Sequence, residues 1–400
     1  MKMKKILSAS ILGLVIAPLS LGASAMVVML TLLFGGGVSA MTFAGVIDAS
    51  LLTLDRDGIA AISELIFTDK FSSPKWSEFC SLETGIKANK QIAYGGHFNG
   101  LSGSVRANCD ITANPYSVAM SEKTWQPKYV SDRFEDCFDN INASTFWKKF
   151  LGNGISKENL TQSAYDAYVK SRISEFMDDD LFYRLLFFTN TAIAAGGTNN
   201  LAPDELKYFN MFNGILPQLA TIYGTTAARR NTITENGNAT YALQNFTATT
   251  ITNQVTTGYL NAVVYGATMD LRGKTDGIII VSQTIMDSYV RERKAVANIE
   301  EAYKRTESGM QTVMFDGKQM IAIPTYDRLV QRHFDNGTKW LNPHFILYTS
   351  KGNIKVGTEE ESNFSELNSE YNSYFKKAFW EYGFNMDVKI IDDSQVQVGI

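Results

Sequence analysis

Residues 310–358 read MQTVMFDGKQMIAIPTYDRLVQRHFDNGTKWLNPHFILYTSKGNIKVGT, and this stretch decides the fold. Two short apolar runs flank Asp316-Gly317, a dipeptide that strongly favours a tight hairpin turn. Pro324 ends the second run because proline has no N–H to donate to a β-ladder. The first half of the stretch therefore predicts a β-hairpin that ends at Pro324.

The second half of the stretch predicts a helix and more strands. Tyr326, Leu329, Val330 and Phe334 recur at helical spacing, and Asn336-Gly337 is expected to close the helix. A second strand pair is expected after it, up to residue 358. Nothing in the stretch forms a catalytic cluster, so we interpret it as structural material.

Length and composition bound the class of protein. A chain of 400 residues with 45% hydrophobic residues can bury a large core, which we expect to be divided into two subdomains. The net charge of −4 argues against binding of nucleic acid through phosphate contacts as the main activity.

The cysteines indicate free thiols. Cys80, Cys109 and Cys137 are odd in number and far apart, and no Cys-x-x-Cys or Cys/His pair has metal-ligand spacing. We expect three reduced thiols, which favours a reducing compartment.

The N-terminus supports two readings. Residues 1–25 have the order of a secretory signal peptide, with a lysine-rich start, an apolar run and a small-residue motif. A second apolar run, 26–34, follows, although export needs only one. The chain is therefore either exported, or it begins at Met41 and 1–40 is a misassigned start.

The central chain predicts an excursion followed by helices. Residues 85–145 are rich in glycine and strand-like runs, which predicts a long two-stranded excursion from the core. One apolar stripe predicts a long helix over 161–190, and a second helix is expected over about 204–223, which must bend or be capped around Pro217. The Thr/Asn-rich segment 224–257 predicts a loop or short strands.

The remaining elements alternate between strand and helix. Ile278–Val281 predicts a buried strand, and Ser282 is expected to cap a helix whose charged continuation to Arg305 forms a solvated face. The run 358–361 predicts a capped helix start, and strands are expected over 384–391 and 396–398.

The candidate metal-binding, phosphate-binding and catalytic residues do not form a common site. Asp178-Asp179-Asp180 would point in different directions on a helix, so one ion cannot collect all three. Gly273-Lys274-Thr275 lacks the earlier glycine and the preceding strand of a phosphate loop. The histidines, His97, His333 and His344, have no carboxylate at a convincing spacing. The sequence therefore predicts no catalytic, cofactor-binding or metal-binding residues.

Taken in order, these elements resemble the major capsid protein of tailed bacteriophages, of the Hong Kong ninety-seven type. The resemblance covers 41–400 and is carried by patterns in four runs: ISEFMDDDLFYRLLFFTNT, TDGIIIVSQTIMDSYVRERK, the helix and strands of the opening stretch, and YFKKAFWEYGFNMDVKII. It implies an α+β fold with an N-terminal arm, an extended two-stranded loop, a long spine helix, and peripheral and apical domains.

The resemblance divides the chain into segments and domains. They are a leader or misassigned start at 1–40, an arm at 41–84, an extended loop at 85–145, a peripheral domain at 146–257 and 376–400 with the spine helix at 161–190, and an apical domain at 258–375.

The resemblance also implies a function. The chain would be a structural, non-enzymatic subunit, assembling in the host cytoplasm into hexamers and pentamers of an icosahedral head. Scaffolding, portal and decoration proteins would be its partners, and packaged DNA would make only weak, non-specific contact. The alternative that stays open is an exported periplasmic or surface binding protein with a cleaved signal at 1–25.

Overall fold

The computed structural model describes residues 75–99, 117–137, 181–196, 199–297, 304–305, 310–359, 368–372 and 377–400. All of them belong to the larger of two compact units in the chain, Ala49–Ala143 with Asp166–Ile400. The leader, most of the arm, Asp178–Asp180, Cys109 and the greater part of the 161–190 helix lie outside the described residues. Of the helix expected to start at 358–361, only Thr358 and Glu359 are described, and neither is helical.

Strands and helices alternate along the described chain. The strands are β1 (Ser81–Glu83), β2 (Gln91–Asn99), β3 (Ser117–Thr124), β4 (Lys128–Cys137), β5 (Arg230–Asn231), β6 (Gly277–Ser282), β7 (Lys304–Arg305), β8 (Gln311–Phe315), β9 (Lys318–Ile323), β10 (Ile346–Ser350), β11 (Ile354–Gly357), β12 (Asn368–Asn372), β13 (Lys377–Ile390) and β14 (Val396–Gly399). The α-helices are α1 (Leu206–Phe209), α2 (Ile215–Thr225), α3 (Tyr241–Gln244), α4 (Ala248–Thr252), α5 (Val255–Gly266), α6 (Met269–Gly273), α7 (Gln283–Ala297) and α8 (Pro324–His333).

The described strands form three sheets. One has seven strands in the order β5-β14-β10-β6-β9-β8-β7, and β6 and β9 at its centre run parallel. The second has the order β1-β11-β13-β12, with β4 also paired to β13. The third contains only β2 and β3, paired antiparallel.

The predicted hairpin is confirmed. β8 and β9 pair antiparallel around Asp316 and Gly317, with φ of +46° and +72°. Left-handed conformation at both central residues is the geometry of the turn that matches strand twist, and glycine adopts it without a side-chain clash. Pro324 is the first residue of α8, where a missing N–H costs nothing.

The expected second strand pair is wrong. β10 pairs with β6 and β14, whereas β11 pairs with β1 and β13 in a different sheet. The 3₁₀ turn Lys351–Asn353 carries the chain from one sheet to the other. Two apolar runs around a short polar turn look like a hairpin in sequence, but each strand finds partners that are distant along the chain.

The helix expected over 204–223 is not continuous, but the expected boundary around Pro217 is present. The chain forms α1 and α2, which are separated by residues 210–214, and Pro217 lies in the first turn of α2. Gly214 precedes α2 and passes close to a π-helical turn, Arg184–Phe188, because a Cβ there would lie 2.8 Å from the Leu186 carbonyl oxygen.

The described end of the predicted 161–190 helix is wholly buried. Residues 181–188 are all buried, so this part has no solvent-facing side. The π-helical turn ends at Phe188, whose ring stacks on Phe334 at 5.0 Å.

Segment 224–257 is more helical than expected. It holds β5, α3, α4 and the start of α5, where a loop or short strands were predicted. Thr247 is the N-cap of α4, where its hydroxyl accepts the amide of Thr250 at 3.3 Å.

The helix after β6 is confirmed, and Arg291 and Lys294 on it are exposed as expected, but its expected continuation to Arg305 is wrong. α7 ends at Ala297, and Lys304–Arg305 form β7. Glu292 on α7 is 1% exposed, and its carboxylate accepts the backbone amides of Thr256 and Thr257 at 2.7 and 2.8 Å. A carboxylate at these amides stabilises the first turn of α5.

The main core lies between one face of the seven-stranded sheet and the helices that follow β5 and β6. Its buried members include Val263, Ile279, Val281, Ile285, Met286, Met320 and Tyr348. The predicted buried strand at Ile278–Val281 is confirmed, since all residues of β6 are buried.

Candidate functional site

The first place to look for chemistry is the carboxyl end of β6 and β9. These strands are adjacent and parallel, with Ser282 opposite Ile323, and α7 and α8 begin immediately after them. Ligand sites in open α/β sheets form at this edge, where helix N-termini present free amides.

This edge is occupied by the protein's own carboxylate. Asp327, in the first turn of α8, accepts the backbone amide of Gln283 at 2.7 Å and that of Thr284 at 3.4 Å. The expected cap by Ser282 is therefore wrong, because the Ser282 hydroxyl accepts the amide of Phe345 instead. The Gln283 and Thr284 amides at the start of α7 are therefore occupied by Asp327.

His344 is held in a buried network beside this cap. Its Nδ1 lies 2.9 Å from the Thr284 hydroxyl and its Nε2 2.7 Å from the Gln244 carbonyl oxygen. Because a carbonyl can only accept, Nε2 carries the proton, and the neutral ring accepts the Thr284 hydroxyl proton at Nδ1. Burial lowers the pKa of His344, which favours this neutral form.

Asn236 completes the network by binding both backbone groups of His344. Its side-chain oxygen accepts the His344 amide at 3.0 Å, and its amide nitrogen donates to the His344 carbonyl at 2.8 Å. The loop before β10 is thus pinned to the 3₁₀ turn Thr234–Gly237, and His344 is 2% exposed.

The residue types Thr284, His344 and Asp327 resemble a nucleophilic triad, but their order excludes one. In a triad the histidine lies between the hydroxyl and the carboxylate. Here Thr284 lies between His344 and Asp327, and the second histidine nitrogen faces a carbonyl. His344 is buried, Thr284 and Asp327 are half-buried, and the cluster holds elements together.

The other sequence candidates lie apart from this cluster. His333, at the end of α8, has Nδ1 3.7 Å from the Glu205 carboxylate, and its ring packs at a tilt against Phe209 with 5.1 Å between the ring centroids. Sequence reasoning missed Glu205 because no local spacing links it to His333. The side chain of His97 lies outside the described ones.

Gly273-Lys274-Thr275 begins at the last residue of α6 and leads toward β6, the reverse of the strand-to-helix order that a phosphate loop needs. The Lys274 carbonyl is occupied by the Lys318 ammonium at 2.6 Å.

The described part of the chain shows neither a metal-binding cluster nor an activated thiol. There, no group of three or more His, Cys, Asp or Glu side chains could hold a metal ion. Cys80 is a free, buried thiol, and burial raises its pKa, which opposes the reactive thiolate form. None of the helices among these residues has the length and apolar character needed to span a bilayer.

The second notable feature is the ribbon formed by β2 and β3. Trp125 follows β3, is fully buried, and packs with Ile86, Ile92 and Ile391. Its backbone amide donates to the Lys90 carbonyl at 3.0 Å, and its carbonyl accepts the Asn89 amide at 2.9 Å. These bonds close the root of the ribbon.

Polar contacts tie the same root to β13 and the turn after it. The Gln126 amide donates to the buried Asp387 carboxylate at 2.7 Å, and Asp387 lies 3.2 Å from the Lys389 ammonium. Lys123 on β3 donates to the Ile390 carbonyl at 2.7 Å and pairs with Asp393. The ribbon is therefore anchored through both apolar packing and charge.

Solved structures provide the comparison. The fold is similar to that of phage capsid proteins. The satellite phage P4 procapsid with the size determination (Sid) protein matches at 11% identity and a TM-score of 0.47, covering 84% of this chain and 97% of that one. Gordonia phage Cozz matches at 8% identity and a TM-score of 0.43, covering 92% of this chain and 91% of that one. The capsid of a native GTA particle matches at 7% identity and a TM-score of 0.42, covering 92% of this chain and 95% of that one.

These matches describe a similarity in fold and carry no inference about activity, because identities are 11% or less and TM-scores are below 0.5. The described helices and sheets confirm the predicted α+β class. No family model and no curated protein matches the sequence.

Proposed function

We propose that this chain is a structural subunit that associates with copies of itself into a closed shell of the phage-head type. The observation that carries the proposal is the ribbon of β2 and β3, which is anchored in the fold yet pairs with no third strand in the described part of the chain. Such a ribbon can contact a neighbouring subunit.

The geometry of the ribbon suits that role. β2 has nine residues, which span about 30 Å at the usual rise of a strand. An outer strand edge presents unpaired N–H and C=O groups, which favours contact with another chain. The packed root fixes the direction in which the ribbon leaves the sheet of β4, β11 and β13.

The proposal includes the predicted division of the chain. The ribbon lies within the predicted extended loop, 85–145, and an arm at 41–84 would reach neighbouring subunits. The segments 146–257 with 376–400, and 258–375, would be the peripheral and apical domains. Contacts between copies in such a shell are heterologous, and rotation closes them into pentamers and hexamers.

The polar cluster at the carboxyl ends of β6 and β9 supports a structural rather than an enzymatic subunit. Its hydroxyl, imidazole and carboxylate groups are satisfied by each other and by backbone. Interaction with packaged DNA, scaffolding, portal or decoration proteins belongs to the proposal as what the capsid resemblance implies. No described residue favours the exported alternative.

The test is to purify the full chain and a form begun at Met41 and to examine both by sedimentation velocity and negative-stain microscopy. Capsomers or closed shells are expected from at least one form. N-terminal sequencing of the native protein separates the alternatives: a start at Met41 in particles supports the shell, and cleavage after Ala25 in an envelope fraction supports export.

A further inference from the structure

Two paired strands carry the chain from the seven-stranded sheet into the second sheet at a single place. β10 pairs antiparallel with β14 in the first sheet, and β11 and β13, which belong to the same two stretches of chain, pair antiparallel in the second. The 3₁₀ turn Lys351–Asn353 joins β10 to β11, and residues 391–395 join β13 to β14. We call residues 349–353 and 391–395 the corner, because both strands change sheets there.

Asn353 holds the two strands together where their ladder is interrupted. Its side-chain oxygen accepts the Asp392 amide at 2.7 Å, and its side-chain nitrogen donates to the Asp392 carbonyl at 3.0 Å and to the Thr349 hydroxyl oxygen at 3.1 Å. Its backbone carbonyl accepts the Ile391 amide at 2.9 Å. Because Asn353 is 4% exposed, water can replace these bonds only when the corner opens.

Two hydroxyl groups close the corner on the side of the seven-stranded sheet. The Thr349 hydroxyl donates to the Gln395 backbone carbonyl at 2.8 Å, and the Ser350 hydroxyl donates to the Gln395 side-chain oxygen at 3.2 Å. These three side chains and that of Asn353 are all buried. The corner is therefore a buried polar network in which each strand holds the other.

The root of the ribbon binds the corner from β3. Lys123 donates to the Ile390 carbonyl at 2.7 Å and pairs with the Asp393 carboxylate. Ile391 belongs to the apolar cluster at the ribbon root, and its amide is bound by Asn353. The same few residues are thus held by the ribbon on one side and by Asn353 on the other.

β13 is held firmly just before it reaches the corner. Gln218 of α2 donates to the Val388 carbonyl at 2.8 Å, and its side-chain oxygen accepts the Ile390 amide at 3.0 Å. The strand is also paired there with β11. A movement of the ribbon that pulls on Lys123 therefore acts on the corner residues, because the strand before them is fastened on two sides.

We propose that the corner and the ribbon root open as one cooperative unit, so that a displacement of the ribbon loosens the junction between the two sheets. Asn353 and Lys123 are positioning residues in this unit, because Asn353 joins the two strands and Lys123 joins them to the ribbon. The unit is a property of a single chain, whether or not copies associate. Its consequence for assembly, that a neighbour contacting the ribbon acts on the corner, rests on the proposed function.

Hydrogen exchange read by mass spectrometry on the full chain tests the unit. Lys123→Gln removes the ion pair and the charged hydrogen bond with little change in size. Exchange of peptides covering 349–356 and 390–395 should rise about three- to tenfold, together with that of 86–92, which is the range for a charged hydrogen bond in a partly exposed pair. Segments that belong to one cooperative unit open together.

Lys90→Gln is the matched control. Lys90 lies at the same ribbon root, but its ammonium pairs with Glu83 at 3.6 Å and reaches the Gly85 carbonyl at 3.5 Å, both outside the corner. We expect exchange of 349–356 and 390–395 in this variant to stay within about twofold of the wild type.

Asn353→Ser tests the coupling from the other end. Shortening the side chain should raise exchange of 349–356 and 390–395 at least about tenfold, because buried partners lose their bonds, and exchange of 86–92 by a smaller factor. In the double variant with Lys123→Gln, the effect of the Lys123 change on 390–395 should shrink, since changes within one network are not additive.

A rise confined to 86–92 in Lys123→Gln would overturn the unit, as would equal rises in Lys123→Gln and Lys90→Gln or fully multiplicative effects in the double variant. If Asn353→Ser does not fold, the two lysine variants still decide. Sedimentation establishes that all variants are compared in the same association state. A chain that stays monomeric but shows the expected exchange would support the unit and contradict the shell.

Discussion

Gly357 at the root of the ribbon provides the sharpest test of the packing. A Cβ on this residue would lie 2.7 Å from both the Ile86 Cδ1 and the Trp125 ring, and both side chains are fully buried. Contacts of this kind normally lie at 3.4 Å or more, so the ring or the strand must shift. Overpacking of this size costs about 1–3 kcal/mol.

The expected net loss from Gly357→Ala is about 1–2 kcal/mol, because the lower entropy of the unfolded chain returns about 0.4–1 kcal/mol. Urea unfolding of dissociated subunits measures the free energy of unfolding, and hydrogen exchange over residues 86–92 shows whether the ribbon root is the part that loosens.

Gly383→Ala is the matched control, since Gly383 lies in β13 of the same sheet. Its Cβ would overlap the end of the Tyr129 side chain, which is 54% exposed and can rotate away. We expect that variant to keep wild-type stability within about 0.5 kcal/mol. A Gly357→Ala variant as stable as the wild type, or an equal loss in both variants, would refute the close packing at the ribbon root.

Two further substitutions test the buried polar contacts. Glu292→Gln should lower the free energy of unfolding by about 1–3 kcal/mol, because it weakens a charged acceptor of two α5 amides; the exposed Glu359→Gln serves as its control and should change little. Asn236→Ala should cost about 2–4 kcal/mol in the same assay, because it leaves the buried amide and carbonyl of His344 without partners. Values within error of the wild type would contradict the proposed roles.

Local signals in the sequence were sufficient to predict the turn, helix start and strand that they define. Asp316-Gly317 specifies its turn through backbone conformation, and Pro324 starts a helix through its missing N–H. The apolar run at Ile278–Val281 specifies a strand buried on both sides. In each case the deciding interaction lies within a few residues.

Pairings set by distant residues could not be predicted. β10 and β11 are separated by a three-residue turn, yet they lie in different sheets because β14 and β13 arrive from the end of the chain. The sequence gives each strand but not its partner. The same limit applies to α1 and α2, whose separation depends on the π-helical turn that Gly214 contacts.

The polar cluster was missed for a related reason. Asp327 has the sequence position of an acid in the first turn of its own helix, and nothing local indicates that it caps α7. Glu292 belongs to a charged run that predicts a solvated face, although it accepts amides of α5. From the sequence we expected no catalytic role for His333 and His344, and the structure places the two in separate environments.

The most direct test of the shell proposal is the assembly state of the purified protein. Sedimentation velocity and electron microscopy of the full chain and of the Met41 form should show capsomers or closed shells of uniform diameter. Gly357→Ala should reduce their yield more than Gly383→Ala. A clean monomer under all conditions, including co-expression with a phage scaffolding protein and protease, would contradict the account.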